Sequence, residues 1–562
     1  MTFGYPPRKK QTRTPLSEYL PDWLEKSALD AKYSGGGIDT SALLQKSLAV
    51  YDARDNQFAN IKADGTTDDS NAWAAIINGV KNAGGGTITW EGRSRILQPI
   101  PFASNIALIG RGWGRSVLAP EGNGISAIQM GGTLANPITN AVFDNFEIDG
   151  SAQISYAKGI FITFMKRAMF HHIWCHDTGA SGLGCDFLVD TAFVDSIVEN
   201  AGRNGTTSSP GCSGFGIGTG NYDVENVSLI NCVGRGNKRY GAFFEKQATP
   251  TYNSKGVTVI GGRYEGNNRG IGDNGVKRII VDGAHISGNT DAGYYLGMDA
   301  SNGIGSDGLV TNCVITDNGT RGVHLDYTGS LSPGRYTIKG NQVQGNTSTG
   351  IKVETVTSAP NVVVSDNDVY LNKGPGVQLA GGGTFTDVEV SNNRIWSNGL
   401  VGGGSGILVG ASLTRPRIVG NKISDPATTK TQGFGITINA GQTISGGIIS
   451  RNDLSGNLTG AISNSGTISP GANGTVMRDN VGYNPIGWDS LSPAASPWTY
   501  TAGPTDEVIN LLNGTVSNVA VTDRTGTTTN VALSAPASIT LSPYDTMVVT
   551  YSAAPAVKRL RK

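Results

Sequence analysis

Charge is scarce in this chain. Lys, Arg, Asp and Glu make up 16% of its 562 residues, against about 25% in a typical soluble protein. The charges also cancel, since 44 basic and 44 acidic residues leave a formal net charge of zero. Binding nucleic acid by phosphate neutralisation needs a basic excess, so that class is excluded. Disorder is excluded as well, because hydrophobic residues reach 38% and no net charge keeps the chain open. Cysteine is almost missing: Cys175, Cys185, Cys212, Cys232 and Cys313 are odd in number and never in CxxC spacing. That argues against zinc and against a disulfide framework, and for buried free thiols. No apolar run approaches the roughly 18 residues of a membrane span, so no membrane insertion is expected. The first ten residues lack the apolar core of a secretory signal.

Glycine is abundant instead, at 80 residues, about one in seven. It shows no strict three-residue period, which excludes collagen. The centre of the chain repeats itself: VTNCVITDNGTRGVHLD (310–326), IKGNQVQGNTSTGIKVE (338–354) and VSDNDVYLNKGPGVQLA (364–380) share one pattern. Asn312, Asn341, Asn367, Asn393, Asn421 and Asn452 form one series, with separations of 29, 26, 26, 28 and 31. Asn289, Asn318, Asn346, Asn372 and Asn398 form a second. A period in the twenties marks a solenoid. Apolar residues alternate within each unit, as in Val323-His324-Leu325, which is the period of a strand with one buried face. Asn and Gly suit left-handed corners, and stacked Asn side chains can bond from rung to rung. The fold class expected is all-β: a parallel β-helix with three short strands per coil, running from about residue 60 to about 480 in on the order of a dozen coils spaced about 4.8 Å apart.

The ends differ from the middle. Residues 1–58 hold a basic cluster at Arg8, Lys9 and Lys10, a helical stretch from Ser17 to Ala31, a hinge at Gly35-Gly36-Gly37 and an amphipathic stretch from Ser41 to Tyr51. Residues 59–485 are the solenoid. Residues 486–562 begin with a Pro- and Ser-rich link, continue as short strands that read as a small β-sandwich, and end in a mobile basic tail, Lys558 to Lys562.

The solenoid opens with Thr67-Asp68-Asp69, a short helix through Ala72-Trp73-Ala74-Ala75-Ile76-Ile77, then Gly84-Gly85-Gly86 and a strand. The acidic residues suit a helix start. This order resembles the opening segment of the pectate-lyase-like superfamily of right-handed parallel β-helix proteins, widely used by phage tailspikes and tail-associated depolymerases. The family strand usually runs into Pro-x-Gly, whereas here it runs into Trp90-Glu91-Gly92. The resemblance implies a right-handed solenoid whose open end the helix caps. It further implies a tailspike-like homotrimer in a virion tail, released by lysis. Its N-terminal region would attach to a tail or baseplate protein, and its groove would bind and cleave a bacterial surface polysaccharide without a cofactor. A non-catalytic fibre and a secreted polysaccharide lyase or hydrolase are the alternatives.

No local nucleophile or metalloprotease motif is present. A site is therefore sought by stacking the strands that follow each leading glycine. The outward position of His324 aligns with Phe161, Gly184, Gly216, Phe243, Gly272, Tyr295, Lys352, Gln378, Leu408 and Thr437. The position of Asp326 aligns with Asp186, Gly218, Glu245, Asn274, Gly297, Glu354, Ala380, Gly410 and Asn439. Asp326 and Glu354, one coil apart, are the candidate catalytic pair, at about the spacing of a retaining glycosidase. Their mutual repulsion is expected to raise one pKa. Phe243, Glu245, Tyr295, His324 and Lys352 are candidate substrate contacts, with Phe243 and Tyr295 as sugar-stacking rings. The acid pair favours hydrolysis over elimination; solvated surface carboxylates and a site between subunits are the competing readings. Asp144, Glu147 and Asp149 read as a surface strand with its acids on one face. His171, His172 and His176 are not expected to share a metal, because His171 and His172 point to opposite faces. An insertion between Gly297 and Gly308 is a candidate groove wall.

Overall fold

The computed structural model describes residues 49–247, 251–297, 307–328, 334–469, 474–484, 487–532 and 534–562. The basic cluster, the helical stretch and the hinge of the first 48 residues lie outside this set, as does most of the insertion after Gly297. The chain is nearly all β. One parallel ladder runs from Val50–Asp52 to Val476–Arg478, a right-handed solenoid of about 14 turns. Three strands make a typical coil: Val323–Asp326, Tyr336–Lys339 and Gln342–Gln344 pair in parallel with Ile351–Glu354, Val363–Ser365 and Asp368–Tyr370 of the next. Inward residues form unbroken columns. Tyr294, Val323, Ile351, Val377, Ile407 and Ile436 are stacked in register and all fully buried. Phe143, Phe170 and Phe193 stack with ring centroids 4.5 Å apart.

The asparagines close two corners. Asn289, Asn318, Asn346, Asn372 and Asn398 are buried, and each Nδ2 donates to the Oδ1 of the next at 2.8–2.9 Å until Gln432 takes over after Asn398. The other ladder runs from Asn341 through Asn367, Asn393, Asn421 and Asn452 to Asn480. Asn312 is not a rung. It is an exposed corner residue with φ of 54° that bonds Asp282. The rung before Asn341 is Cys313, whose backbone N–H donates to Asn341 Oδ1. All five cysteines are buried and free.

The first end is closed by the helix Ser70–Asn82, whose Trp73, Ile76, Ile77 and Val80 are buried. Asp68 accepts from the Ser70 N–H and hydroxyl, as a helix start requires. Asp69 does not cap. Its carboxylate binds the Lys62 and Ala63 N–H groups and Ser94 Oγ, tying the preceding loop to the solenoid. Gly84, Gly85 and Gly86 all have positive φ and turn the chain into the strand Gly86–Thr89. Val50–Asp52, read as part of an amphipathic stretch, is a strand paired with it.

The last part of the chain forms two four-stranded antiparallel sheets. Their facing sides bury Ile509, Leu511, Val519, Leu541, Met547 and Val549. Two strands lie where none was expected. Trp488–Leu491 falls in the Pro- and Ser-rich link, and Ala556–Arg561 falls in the supposed mobile tail. The tail is held because it lies between Trp488–Leu491 and Glu507–Leu512, with Arg559 paired to Asp489. Tyr544 seats this unit on the last coil, its hydroxyl donating to the Thr475 carbonyl at 2.5 Å.

Removing one rung tests the ladder. Asn372→Ala deletes an amide that bonds the chain at Val343, Tyr370, Asn346 and Asn398. Each buried polar group left unmatched costs about 1–3 kcal/mol. A clear drop in thermal midpoint is expected for Asn372→Ala, and a much smaller one for Asn268→Ala, whose half-buried side chain bonds Thr290 at 3.1 Å. Equal midpoints would contradict the ladder's role.

Candidate functional site

The stacking read from the sequence is the stacking in the structure. Phe161, Gly184, Gly216, Phe243, Gly272, Tyr295, His324, Lys352, Gln378, Leu408 and Thr437 are consecutive partners across the ladder. Asp326 lies opposite Glu354. A carboxylate oxygen of each, with one His324 ring nitrogen, lie within 4.8 Å of one another. Lys352 Nζ donates to Glu354 Oε2 at 2.5 Å, and His324 Nε2 lies 3.3 Å from the same oxygen. Asp326 Oδ2 accepts from the Tyr295 hydroxyl at 3.1 Å, while Thr328 donates twice to Oδ1.

The expected rise of one carboxyl pKa is not what this geometry produces. Burial pushes the Asp326 carboxyl up, but hydrogen bonds from Thr328 and Tyr295 outweigh it and hold the group below the usual carboxylate range. Burial likewise pushes Glu354 up, and Lys352 with His324 outweighs it. Each acid has its own donors, so neither has to take a proton to escape the other. The histidine is the displaced group. Burial, followed by the nearby Arg321 and Lys352 cations, pushes His324 down to about 4, so it is a neutral imidazole at pH 7.

The candidate contacts fare unevenly. His324 sits on the outward side of its strand yet is buried, 5% exposed, between Tyr295, Arg321 and Glu354. Tyr295 keeps its place beside Asp326, but the Arg269 guanidinium lies 3.6 Å from its ring centroid and covers one face. Phe243 is not an open stacking platform: it is 4% exposed and stacked flat on Tyr240 at 4.3 Å. Glu245 stands three coils from Asp326, about 14 Å along the solenoid, and lines a different recess. Arg239, Tyr240, Arg269 and Tyr295 line a recess of about 210 Å³ between the two.

Arg239, Arg269 and Arg321 escaped the strand alignment because they precede the leading glycine or its neighbour. Arg269-Gly270 and Arg321-Gly322 show the signal: stacking the residue before each glycine would have found them. Arg269 is held by Asp291 at 2.6 Å, and Asp291 in turn by Thr320.

The other acidic and histidine residues pair with one another across neighbouring coils. Asn145, with φ of 58°, turns the strand, so Asp144 meets His171 while Glu147 and Asp149 meet His176. His172 bonds Asn145 and stacks on Trp113. Burial pushes His176 down, but its hydrogen bonds to the Glu147 and Asp177 carboxylates prevail and raise it to about 9, so it is a cation at neutral pH.

Residues 250–359 and 334–423 match the family model described as the right handed beta helix region. No curated protein matches the sequence. Among solved structures, the chain is similar to the Dettilon tailspike protein, at 15% identity and a TM-score of 0.47, over 94% of this chain and 97% of that one. It is similar to the pre-mature gene product 12 of bacteriophage phi29, at 16% identity and a TM-score of 0.48, over 70% of this chain and 56% of that one. It is also similar to the A-module of a mannuronan C-5 epimerase of Azotobacter vinelandii, at 15% identity and a TM-score of 0.38, over 75% and 97%. The family match and the parallel register together show a right-handed parallel β-helix fold.

The depressed His324 pKa has a measurable consequence. The unfolded chain takes up this proton below pH 6.5, whereas the folded chain refuses it until about pH 4. The stabilising contribution is therefore complete above pH 6.5 and is lost as pH falls through about 4. The depressed Asp326 and Glu354 act in the same direction at lower pH. Thermal midpoints measured between these limits should fall more steeply in the unsubstituted protein than in His324→Asn; parallel slopes would count against the assignment.

Proposed function

We propose that this is a tailspike-like receptor-binding protein that binds a bacterial surface polysaccharide along the face carrying Tyr295, His324 and Lys352, and cleaves its glycosidic bonds at Asp326 and Glu354. One observation carries the reading: two carboxylates project from adjacent coils in direct register, with oxygens within 4.8 Å. That is close to the separation of about 5 Å at which one carboxylate attacks the anomeric carbon while the other serves the leaving oxygen. The resemblance of the opening segment to tailspikes and tail-associated depolymerases supplies the substrate class, and an elongated face suits a polymer.

The roles divide by hydrogen bonding. Asp326 is held ionised and oriented by Thr328 and Tyr295, as a nucleophile must be. Glu354 is ionised because Lys352 sits on it. A sugar oxygen that displaces Lys352 removes that contact; desolvation under the bound sugar and the adjacent Asp326 charge then raise the Glu354 pKa, so that it takes a proton from solvent and passes it to the leaving oxygen. In this reading residues 1–58 attach to a tail or baseplate protein, the molecule is a homotrimer, and its place is the virion tail. A second reading, β-elimination, draws on the Arg321 and Lys352 cations that flank His324 and Glu354, which suit neutralising a uronate carboxyl.

Asp326→Asn and Glu354→Gln, assayed against purified capsular and O-antigen polysaccharides, are each expected to lose cleavage by about a hundredfold or more with thermal midpoints that show a folded solenoid. New reducing ends mark hydrolysis, and unsaturated sugars absorbing in the ultraviolet mark elimination. Binding without either product identifies a receptor-binding fibre alone, and full activity in both variants refutes the assigned pair.

A further inference from the structure

A separate recess of about 200 Å³ lies toward the N-terminal end of the same face. Its floor exists because the outward positions lose their side chains there. Gly184, Gly216 and Gly218 occupy sites that carry Tyr295, His324, Lys352, Asp326 and Glu354 further along. A Cβ at Gly218 would collide with Asp186 Oδ1 and approach Gln247 Nε2 to 2.7 Å, so glycine is what lets those groups lean over the floor. Asp186 and Glu245 stand two coils apart on either side of Gly218, about 10 Å along the solenoid. Lys158 lies over the Phe161 ring at 3.8 Å.

Three features point to a ligand rich in hydroxyls. Ser213 is fully buried, lines the recess, and its hydroxyl has no hydrogen-bond partner within the protein. Tyr156, also a lining residue, is 45% exposed and offers an aromatic face at the rim. Asp186 and Glu245 offer acceptors across the floor. Aromatic face, buried hydroxyl and opposed carboxyls are the complement of a pyranose, with one apolar face and a rim of hydroxyls. Burial raises the Asp186 pKa against the pull of Lys158, which further suits it to sharing hydrogen bonds with neutral hydroxyls. Carboxylates at both ends of the floor accept from hydroxyls and repel another carboxylate.

We infer that this recess is a second carbohydrate-binding site, which holds one neutral sugar unit of an extended polysaccharide against Tyr156, Asp186, Ser213 and Glu245. The inference rests on the polysaccharide reading above and adds where a second unit of the same polymer is gripped. Asp186 and Asp326 are five coils apart in one register, so a chain occupying both sites spans about 24 Å. The polymer is therefore recognised over several sugars, and its orientation along the solenoid is set before it reaches the acid pair.

The test is calorimetric binding of size-graded bacterial O-antigen and capsular oligosaccharides, from disaccharides upward, to the full chain and to Gly216→Leu and Tyr156→Ala. Gly216 has no positive φ, and its added Cβ meets only Ser181 closely, at 2.9 Å from Oγ, so the leucine fills the floor without forcing the backbone. For the unsubstituted chain, affinity should step up once a fragment spans about 24 Å. Both variants should lose that step, roughly tenfold in affinity, the value of one or two hydrogen bonds. A step unchanged in both folded variants, or no step in the unsubstituted chain, overturns the recess alone. No binding at any length overturns the polysaccharide reading and the recess with it. Tighter binding of uronate-rich than of neutral fragments through this step refutes the neutral-sugar assignment.

Discussion

Everything in this molecule depends on the rung-to-rung backbone hydrogen bond of a parallel ladder. It sets a spacing of about 4.8 Å between coils and obliges equivalent residues to stack. A stack is favourable only when like lies on like, and the interior obeys: valine over isoleucine, phenylalanine over phenylalanine, asparagine over asparagine. The asparagine ladders extend the same rule to side chains. Each buried amide both donates and accepts along the axis, so the corners keep their hydrogen bonds where the strands stop.

The same constraint brings chemistry together. Residues 28 positions apart become neighbours, as Asp326 and Glu354 do. A column of outward side chains is a linear device, and this one changes along its length. Glycines make a floor near Gly216, arginines and tyrosines follow near Arg269 and Tyr295, and the carboxylate pair comes next at Asp326 and Glu354. Beyond Glu354 the column holds Ala380 and Gly410 and carries no further acid. A groove graded in this way matches a polymer better than a small ligand.

The electrostatics of the acid pair come from partners rather than from distance. Two carboxylates this close would compete for a proton if they stood alone. Thr328 and Tyr295 on one, Lys352 and His324 on the other, let both stay ionised, and the imidazole loses its proton instead. The local state of charge is thus set by groups whose identities are ordinary and whose placement is not.

Much of the fold was legible in the sequence, because its rule is periodic and local: apolar alternation, a glycine before one strand of each coil and asparagines at two of its corners recur at nearly constant spacing. The register of the outward column followed from the glycines alone. Single-residue phase was harder, as Asn312 shows, since two adjacent polar positions at a corner fit the period equally well and only the hydrogen bond to Asn341 separates them. The strand Ala556–Arg561 was missed because its basic composition resembles a tail, while its order comes from flanking strands and Asp489. Thus the sequence by itself determined the solenoid, its period and which residues share a face. The tertiary structure alone decided that Phe243 is covered, that Arg269, Arg321 and Lys158 reach the groove, and which groups keep their protons. The physical reason is that stacking is one-dimensional and repeats, whereas burial and pKa depend on every neighbour in three dimensions.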